Sequence, residues 1–129
     1  WINMQTDPKQ QRKYTNLCAA LIYRNHSLLS YVSALGIHQE LNGALLNSVL
    51  IDYAESMCKA LNEAMVELSG NTIDSPIELA SLSTKPELDP ADPTDQRTEL
   101  IMQEMIHIGI MTTEILKLSR LLKPLIQNR

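Results

Sequence analysis

Histidine and cysteine are the residue types in this sequence best suited to catalysis or ligand binding, and they are few: His26, His38, His107, Cys18 and Cys58. His26 and His38 lie twelve residues apart, so on one continuous helix they point about 120° apart and cannot share a site. Both cysteines fall in apolar helical stretches, where a buried thiol is inert. We therefore predict no catalytic residues and reduced cysteines, although a disulfide between them stays open.

Metal binding has one weak signal, the ExxH pair formed by Glu104 and His107. Metal sites in helical bundles take ligands three or four residues apart, and a dimetal site needs two such pairs. The sequence holds a single pair, so a polar helix face explains it better. We predict no metal and no other cofactor.

Phosphotransfer through His38 is a sharper alternative, because histidine phosphotransfer domains are small acidic helical bundles with one exposed histidine. Those domains usually carry a lysine and a glycine just after that histidine. Here His38 is followed by Gln39-Glu40-Leu41. The alternative stays open but is not favoured.

Composition indicates helices as the elements that position these residues. The chain has 129 residues, 44% of them hydrophobic, with no Phe and only four Gly, which favours a single all-α domain over 1–129. A net charge of −4, without a basic stripe or stacking aromatics, argues against nucleic acid as a partner. No apolar run approaches the roughly 20 residues that span a bilayer, so we expect no membrane insertion by this segment.

Local signals divide the chain into an antiparallel bundle of three long helices, with a short helix in the 70–93 connection. Asp7-Pro8 is a cap and first-turn pair that starts the first helix, which runs to about Gln39 unless Gly36 ends or bends it earlier. The second helix runs from about 43 to 69 and ends at Gly70-Asn71. Ser75-Pro76-Ile77-Glu78 resembles a capping box for a short helix reaching about 82. The last helix starts near 93 or 95 and stops at about 123, before Pro124.

Apolar spacing then predicts the buried faces. A seam on the second helix comprises Leu46, Leu50, Tyr53, Met57, Ala60, Ala64 and Leu68. The charged residues of that helix, Glu63 among them, fall mainly off the seam. The buried stripe of the last helix comprises Ile101, Met105, Ile108, Ile115 and Leu122. We expect the cations at its end, Lys117, Arg120 and Lys123, to offset the helix dipole.

A second strip on the first helix consists mostly of small or polar residues and lies away from its leucine stripe. We call it the outer strip, and its members are Ala19, His26, Ser30, Ser33 and Ile37. Small residues allow another helix to approach closely, and hydroxyl groups can bond across the contact. The strip therefore predicts either a tight contact within the chain or docking against another subunit or another part of the same protein.

The sequence around this strip resembles a known family. The matching residues are Asn25, His26, Ser27, Ser30, Tyr31, Val32, Ser33, Ala34, Leu35, Gly36 and His38. Together they are similar to the C-terminal cytoplasmic region of fusaric-acid-resistance-like (FUSC) inner-membrane proteins, YccS/YhfK branch. Asn3-Met4 followed by Asp7-Pro8 is also similar to that branch. Gln39 departs from it, since the family has Arg there, and any charged contact of that Arg is in doubt here.

The resemblance implies a segment on the cytoplasmic side of the bacterial inner membrane, within a larger efflux or transport protein. Its partners would be the transmembrane and other cytoplasmic parts of the same chain. The chain opens at Trp1 without an initiator Met, and we likewise expect it to be part of something longer. Three helices bury their faces less completely than four, so we also expect a homo-oligomer, joined through a surface of the first or the last helix. The alternative is a free-standing soluble helical adaptor or sensor.

Overall fold

The structure is a computed structural model, and it describes residues 7–42, 48–82 and 96–127, with side chains over 7–35, 50–82 and 99–126. Four helices lie within these ranges: α1 (Pro8–Asn42), α2 (Ser48–Leu68), α3 (Leu79–Leu82) and α4 (Gln96–Gln127). The described residues contain no strand. The predicted all-α fold, with three long helices and one short one, is confirmed.

The predicted start of α1 is confirmed by its cap. The Asp7 carboxylate accepts hydrogen bonds from the backbone N–H of Lys9 (3.0 Å) and of Gln10 (3.4 Å). These donors belong to the first turn, where no carbonyl within the helix is available to them. The helix continues without a break past Gly36 to Asn42, so the earlier end considered at Gly36 does not occur.

The end of α2 is also formed as predicted. Gly70 adopts a left-handed conformation with φ of 80°. Its N–H donates to the carbonyl of Glu67 (3.1 Å), and the N–H of Asn71 donates to the carbonyl of Val66 (3.3 Å). These two bonds define a Schellman motif, which satisfies carbonyls that the end of a helix leaves free.

Both α1 and α2 pack against α4, and the shared contacts fix their directions. Leu28 of α1 and Met57 of α2 meet Ile115 in one core cluster, while Leu35 and Leu50 meet Ile101 near the other end. Rising numbers on α1 thus match falling numbers on α4, so these two helices are antiparallel. Numbers on α2 and α4 rise together, so these two run in the same direction. The predicted antiparallel arrangement thus holds for α1 with α4 but not for α2 with α4, because the segment 77–82 runs back along α4 before that helix begins.

The predicted seams form the core. Buried seam residues of α2 are Leu50, Met57, Ala60 and Ala64, and those of α4 are Ile101, Met105, Ile115 and Leu122. Tyr53 and Ile108 are half-buried and pack against these clusters. Leu46 lies outside the described side chains.

Two boundaries differ from the sequence prediction. Helix α4 continues through Pro124 to Gln127. A proline this close to a helix end removes only one hydrogen bond, and Leu122, which is 1% exposed, holds the turn against the core. Helix α3 starts at Leu79 rather than beside Ser75, because the backbone of Ile77 bonds instead to side chains of α2 and α4.

Candidate functional site

The outer strip of α1 faces solvent. Ala19, His26, Ser30 and Ser33 are all exposed, and the side chain of Ile37 lies outside the described residues. The Ser30 hydroxyl donates to the carbonyl of His26 in its own helix (3.1 Å). The expectation of a tight contact within the described chain is therefore wrong for these residues, and docking against a partner remains a prediction.

Tyr31, also within the stretch 25–38, faces α4. Tyr31 stacks on His107 of α4, with ring centroids 5.0 Å apart and planes 6° from parallel. This contact gives His107 a packing role at the α1–α4 interface, which the sequence did not predict. Gly36 and His38 lie in helical backbone of α1, but their surroundings fall outside the described residues. Phosphotransfer on His38 is thus untested.

An apolar groove runs between α1 and α2, with α4 as its floor, and we call it the α1–α2 groove. Its wider part has a volume of about 440 Å³. That part is lined by Leu21, Ile22, Asn25, Leu28, Leu61, Ala64, Met65, Leu68 and Ile115. Ile22 on one rim is 59% exposed, and Met65 on the other is 69% exposed. Large apolar side chains on both rims of one groove are typical of a docking surface rather than of a surface that stays exposed to solvent.

The groove continues towards the other end of the bundle. A second part, about 180 Å³ in volume, shares Leu28 and Leu61 with the first. It is further lined by Val32, Leu35, Tyr53, Ala54, Met57, Cys58, Met105 and Ile108. Among the described side chains, Asn25 is the one amide along the lining, and none of those that line either part is charged. Four residues of the stretch 25–38 thus border the groove: Asn25, Leu28, Val32 and Leu35.

The opposite side of α2 carries charge, in an arrangement that the sequence analysis missed. Glu63 and Glu67 are 7% exposed. Arg120 of α4 pairs with Glu63 at 2.6 Å, and Lys123 pairs with Glu67 at 3.1 Å. The prediction that Glu63 falls off the buried seam is wrong, because Arg120 neutralises it on the side where α4 packs.

These ion pairs also fix the segment after α2. Glu63 accepts a hydrogen bond from the N–H of Ile77 (2.8 Å), and Arg120 donates to the carbonyl of the same residue. Lys123 donates to the carbonyl of Asn71 (2.8 Å). Because α4 extends to Gln127, its last turn holds no basic residue, so the predicted cluster of cations at the very end of the helix is not formed. Arg120 and Lys123 instead bond to α2 and to 71–77. A usable signal was present: two carboxylates four residues apart on α2 can face two cations three residues apart on α4.

Tyr53 lies between the groove and a smaller pocket of about 160 Å³ on the other side of α2. Burial raises the pKa of its phenol above the ordinary value of 10.0, because the charged form loses hydration. The ring rests on Gly109, where an added Cβ would come within 1.8 Å of the phenol oxygen. Thr112 nearby on α4 is fully buried, and its hydroxyl has no hydrogen-bond partner within the described ranges.

The described side chains hold no cluster of three or more His, Cys, Asp or Glu able to bind a metal ion. Cys18 and Cys58 are free thiols. The expectation that both are buried is wrong, because Cys18 is half-buried and Cys58 is exposed beside the groove, on the side of α2 that α4 does not cover. Within 7–42, 48–82 and 96–127, no helix combines the length and the apolar character needed to cross a membrane. The α1–α2 groove is suited to packing against an apolar partner.

Comparisons with protein families, with curated proteins and with solved structures found no match to this chain.

Proposed function

We propose that this chain is a helical assembly module, which holds copies of a larger protein together and is not itself an enzyme. The observation that carries this proposal is the α1–α2 groove, an apolar channel with exposed rims, whose described lining residues carry no charge. A helix seated there would bury apolar surface on both sides without stranding a charge. Among the described side chains that line the groove, the Cys58 thiol has no histidine or carboxylate beside it in that lining to activate it.

The larger protein in this proposal is a FUSC-like inner-membrane efflux or transport protein, with this segment on the cytoplasmic side. The resemblance of Asn25–His38 supports it, and four residues of that stretch border the groove. Three of the residues that carry the resemblance, Asn25, Val32 and Leu35, thus line the docking surface on α1. Assembly of subunits is the role that fits both.

Sedimentation equilibrium of the purified chain tests the assembly role. We expect the weight-average mass to rise with concentration towards that of a defined oligomer. A strict monomer at the highest attainable concentration would overturn the proposal. Ile110 and Leu121 of α4 are also exposed, so Leu121→Glu reports whether the last helix carries the contact.

A free-standing adaptor is the second candidate, because the groove would equally accept a helix from a different protein. The coding sequence upstream of Trp1 separates the two. Several encoded runs of about 20 apolar residues would support the membrane protein. A start codon just before Trp1, without such runs, would overturn it in favour of the adaptor.

A further inference from the structure

The α1–α2 groove restricts its occupant to an uncharged, helix-shaped ridge. Its lining extends along α1 from Leu21 to Leu35, which is about 21 Å of helix at 1.5 Å per residue. A charged side chain seated against this lining would lose its hydration with no partner in return. The occupant therefore needs an apolar face roughly four turns long.

Helix α1 itself carries such a ridge. Ile22, Leu29 and Val32 are 59%, 62% and 46% exposed and follow one another at spacings of seven and three. Between Lys13 and Glu40, Arg24 is the one charged residue of α1. A second copy of this chain can thus offer α1 as the ridge while its own groove receives α1 of the first. Such an exchange is the self-complementary contact of a two-fold dimer.

Charge along the helices selects the relative direction of the two copies. Lys9, Arg12 and Lys13 are exposed in the first turns of α1. Asp52 and Glu55 are exposed near the start of α2. That start lies beside the far end of α1, because Leu35 and Ala54 line the same part of the groove.

A parallel pairing would place the two basic ends together, whereas an antiparallel pairing places each basic end near the acidic start of α2 in the other copy. Like charges side by side repel, and unlike charges attract. The antiparallel pairing also puts each basic end beside the C-terminal end of the other α1, where the helix dipole is negative.

We propose that two copies of this chain dimerise by antiparallel insertion of α1 into each other's α1–α2 groove, about a two-fold axis near Asn25. This inference rests on the proposed assembly function and names its surface and its partner. It places Ile22 of one copy beside Leu29 of the other, with Arg12 and Lys13 near Asp52 and Glu55 of the other copy.

Ile22→Glu tests the surface, and Tyr23→Glu is its matched control. Both residues are exposed, at 59% and 65%, and Tyr23 lines neither part of the groove, so each change leaves the fold of a single chain intact. We expect Ile22→Glu to raise the dimer dissociation constant about 100-fold, since it seats two unpaired charges in the contact. Tyr23→Glu should leave the constant within about threefold. Circular dichroism checks that both variants are folded.

Charge reversal tests the direction. Arg12→Glu with Lys13→Glu should weaken the dimer about tenfold at low salt. Adding Asp52→Lys and Glu55→Lys to the same chain should restore it, because each attractive pair is then re-formed with reversed signs. Weakening without restoration would overturn the antiparallel arrangement.

Disulfide trapping gives a second measure of direction in chains that also carry Cys18→Ser and Cys58→Ser. Antiparallel packing predicts that an isotope-labelled Ile22→Cys chain mixed with an unlabelled Leu29→Cys chain gives mixed disulfide dimers. Parallel packing would instead join each variant to itself, which would overturn the proposal.

The outcomes separate this inference from the assembly function on which it rests. A monomer at every concentration would remove both. An oligomer that responds equally to Ile22→Glu and Tyr23→Glu would leave the assembly function standing and overturn the groove dimer. Loss of the oligomer in Leu121→Glu, with Ile22→Glu unaffected, would move the contact to α4.

Discussion

A tyrosine of α2 packs directly against a glycine of α4. Gly109 is buried in α4, and the Tyr53 ring fills the space that a side chain there would occupy. Tyr53 also packs against both core clusters, so the ring cannot turn away without disturbing each of them. The absent Cβ at position 109 is therefore part of the packing.

Replacing Gly109 by Ala should destabilise the chain, although alanine is the better helix former. The gain in helix propensity is about 1 kcal/mol, whereas forcing a methyl group into a filled core costs about 1–3 kcal/mol. Here the new Cβ would lie 1.8 Å from the phenol oxygen and 2.8 Å from Cζ. Such close contacts put the cost at the upper end of its range, so we expect a net loss of about 2 kcal/mol. Urea unfolding measures it. The penalty should be smaller in a Tyr53→Phe background, and a more stable Gly109→Ala variant would contradict the close contact.

Glu63 is the residue on which three segments meet, because it bonds both to Arg120 of α4 and to the N–H of Ile77. Glu63→Ala leaves Arg120 without its anion and the N–H without its acceptor. We expect the free energy of unfolding to fall by about 2–3 kcal/mol. Chemical denaturation followed by circular dichroism measures the change.

The matched control for Glu63 is Lys59→Ala, which likewise truncates a charged side chain but on the exposed face of α2. It should change the free energy of unfolding by less than about 0.5 kcal/mol. Equal losses for the two variants would mean that the bonds of Glu63 to Arg120 and Ile77 add nothing to the free energy of unfolding.

Among the elements, α2 ends in a turn that requires glycine. Gly70 has φ of 80°, and an added Cβ would meet nothing within 4 Å, so any cost of a side chain there is conformational. Gly70→Ala should lower the free energy of unfolding by about 1–2 kcal/mol. Gly70→Asn should cost less, because asparagine tolerates the left-handed region. Thermal unfolding compares the two, and equal stability of Gly70→Ala and the unchanged chain would contradict the Schellman geometry.

Local rules of sequence were enough to predict the elements, because the signals for them lie within a few residues of one another. Asp7 capped α1 and Gly70 ended α2 as their residue types indicate. Apolar spacing also selected the buried faces of α2 and α4.

Features that depend on contacts between elements were missed for a physical reason. Glu63 is buried because Arg120, 57 residues away, meets it, and α3 starts late because Ile77 bonds to that same pair. Tyr31 and His107 stack from different helices. The groove likewise follows from how α1 and α2 sit on α4, which no single helix encodes.

At the scale of the whole molecule, the path after α2 decides which side of the bundle is covered. Ile77 lies level with Arg120, and Leu82 lies beside Gly109 in one pocket, so 77–82 runs back along one side of α4. That side of α2 carries the ion pairs. The opposite side, between α1 and α2, has the apolar rims. A second copy would cover this apolar side, just as the segment 77–82 covers the side with the ion pairs.

If the groove is filled only in the dimer, stability should depend on protein concentration, because a partner that binds the folded state alone stabilises it by mass action. A tenfold rise in concentration adds about 1.4 kcal/mol per dimer, or half of that per chain. For a domain of this size the thermal midpoint should rise by about 2–4 °C. Differential scanning calorimetry of the unchanged chain should show this slope, and Tyr23→Glu should keep it. Ile22→Glu should melt at a lower, concentration-independent temperature, and a flat midpoint in the unchanged chain would mean that the exposed rims of the groove belong to a stable monomer.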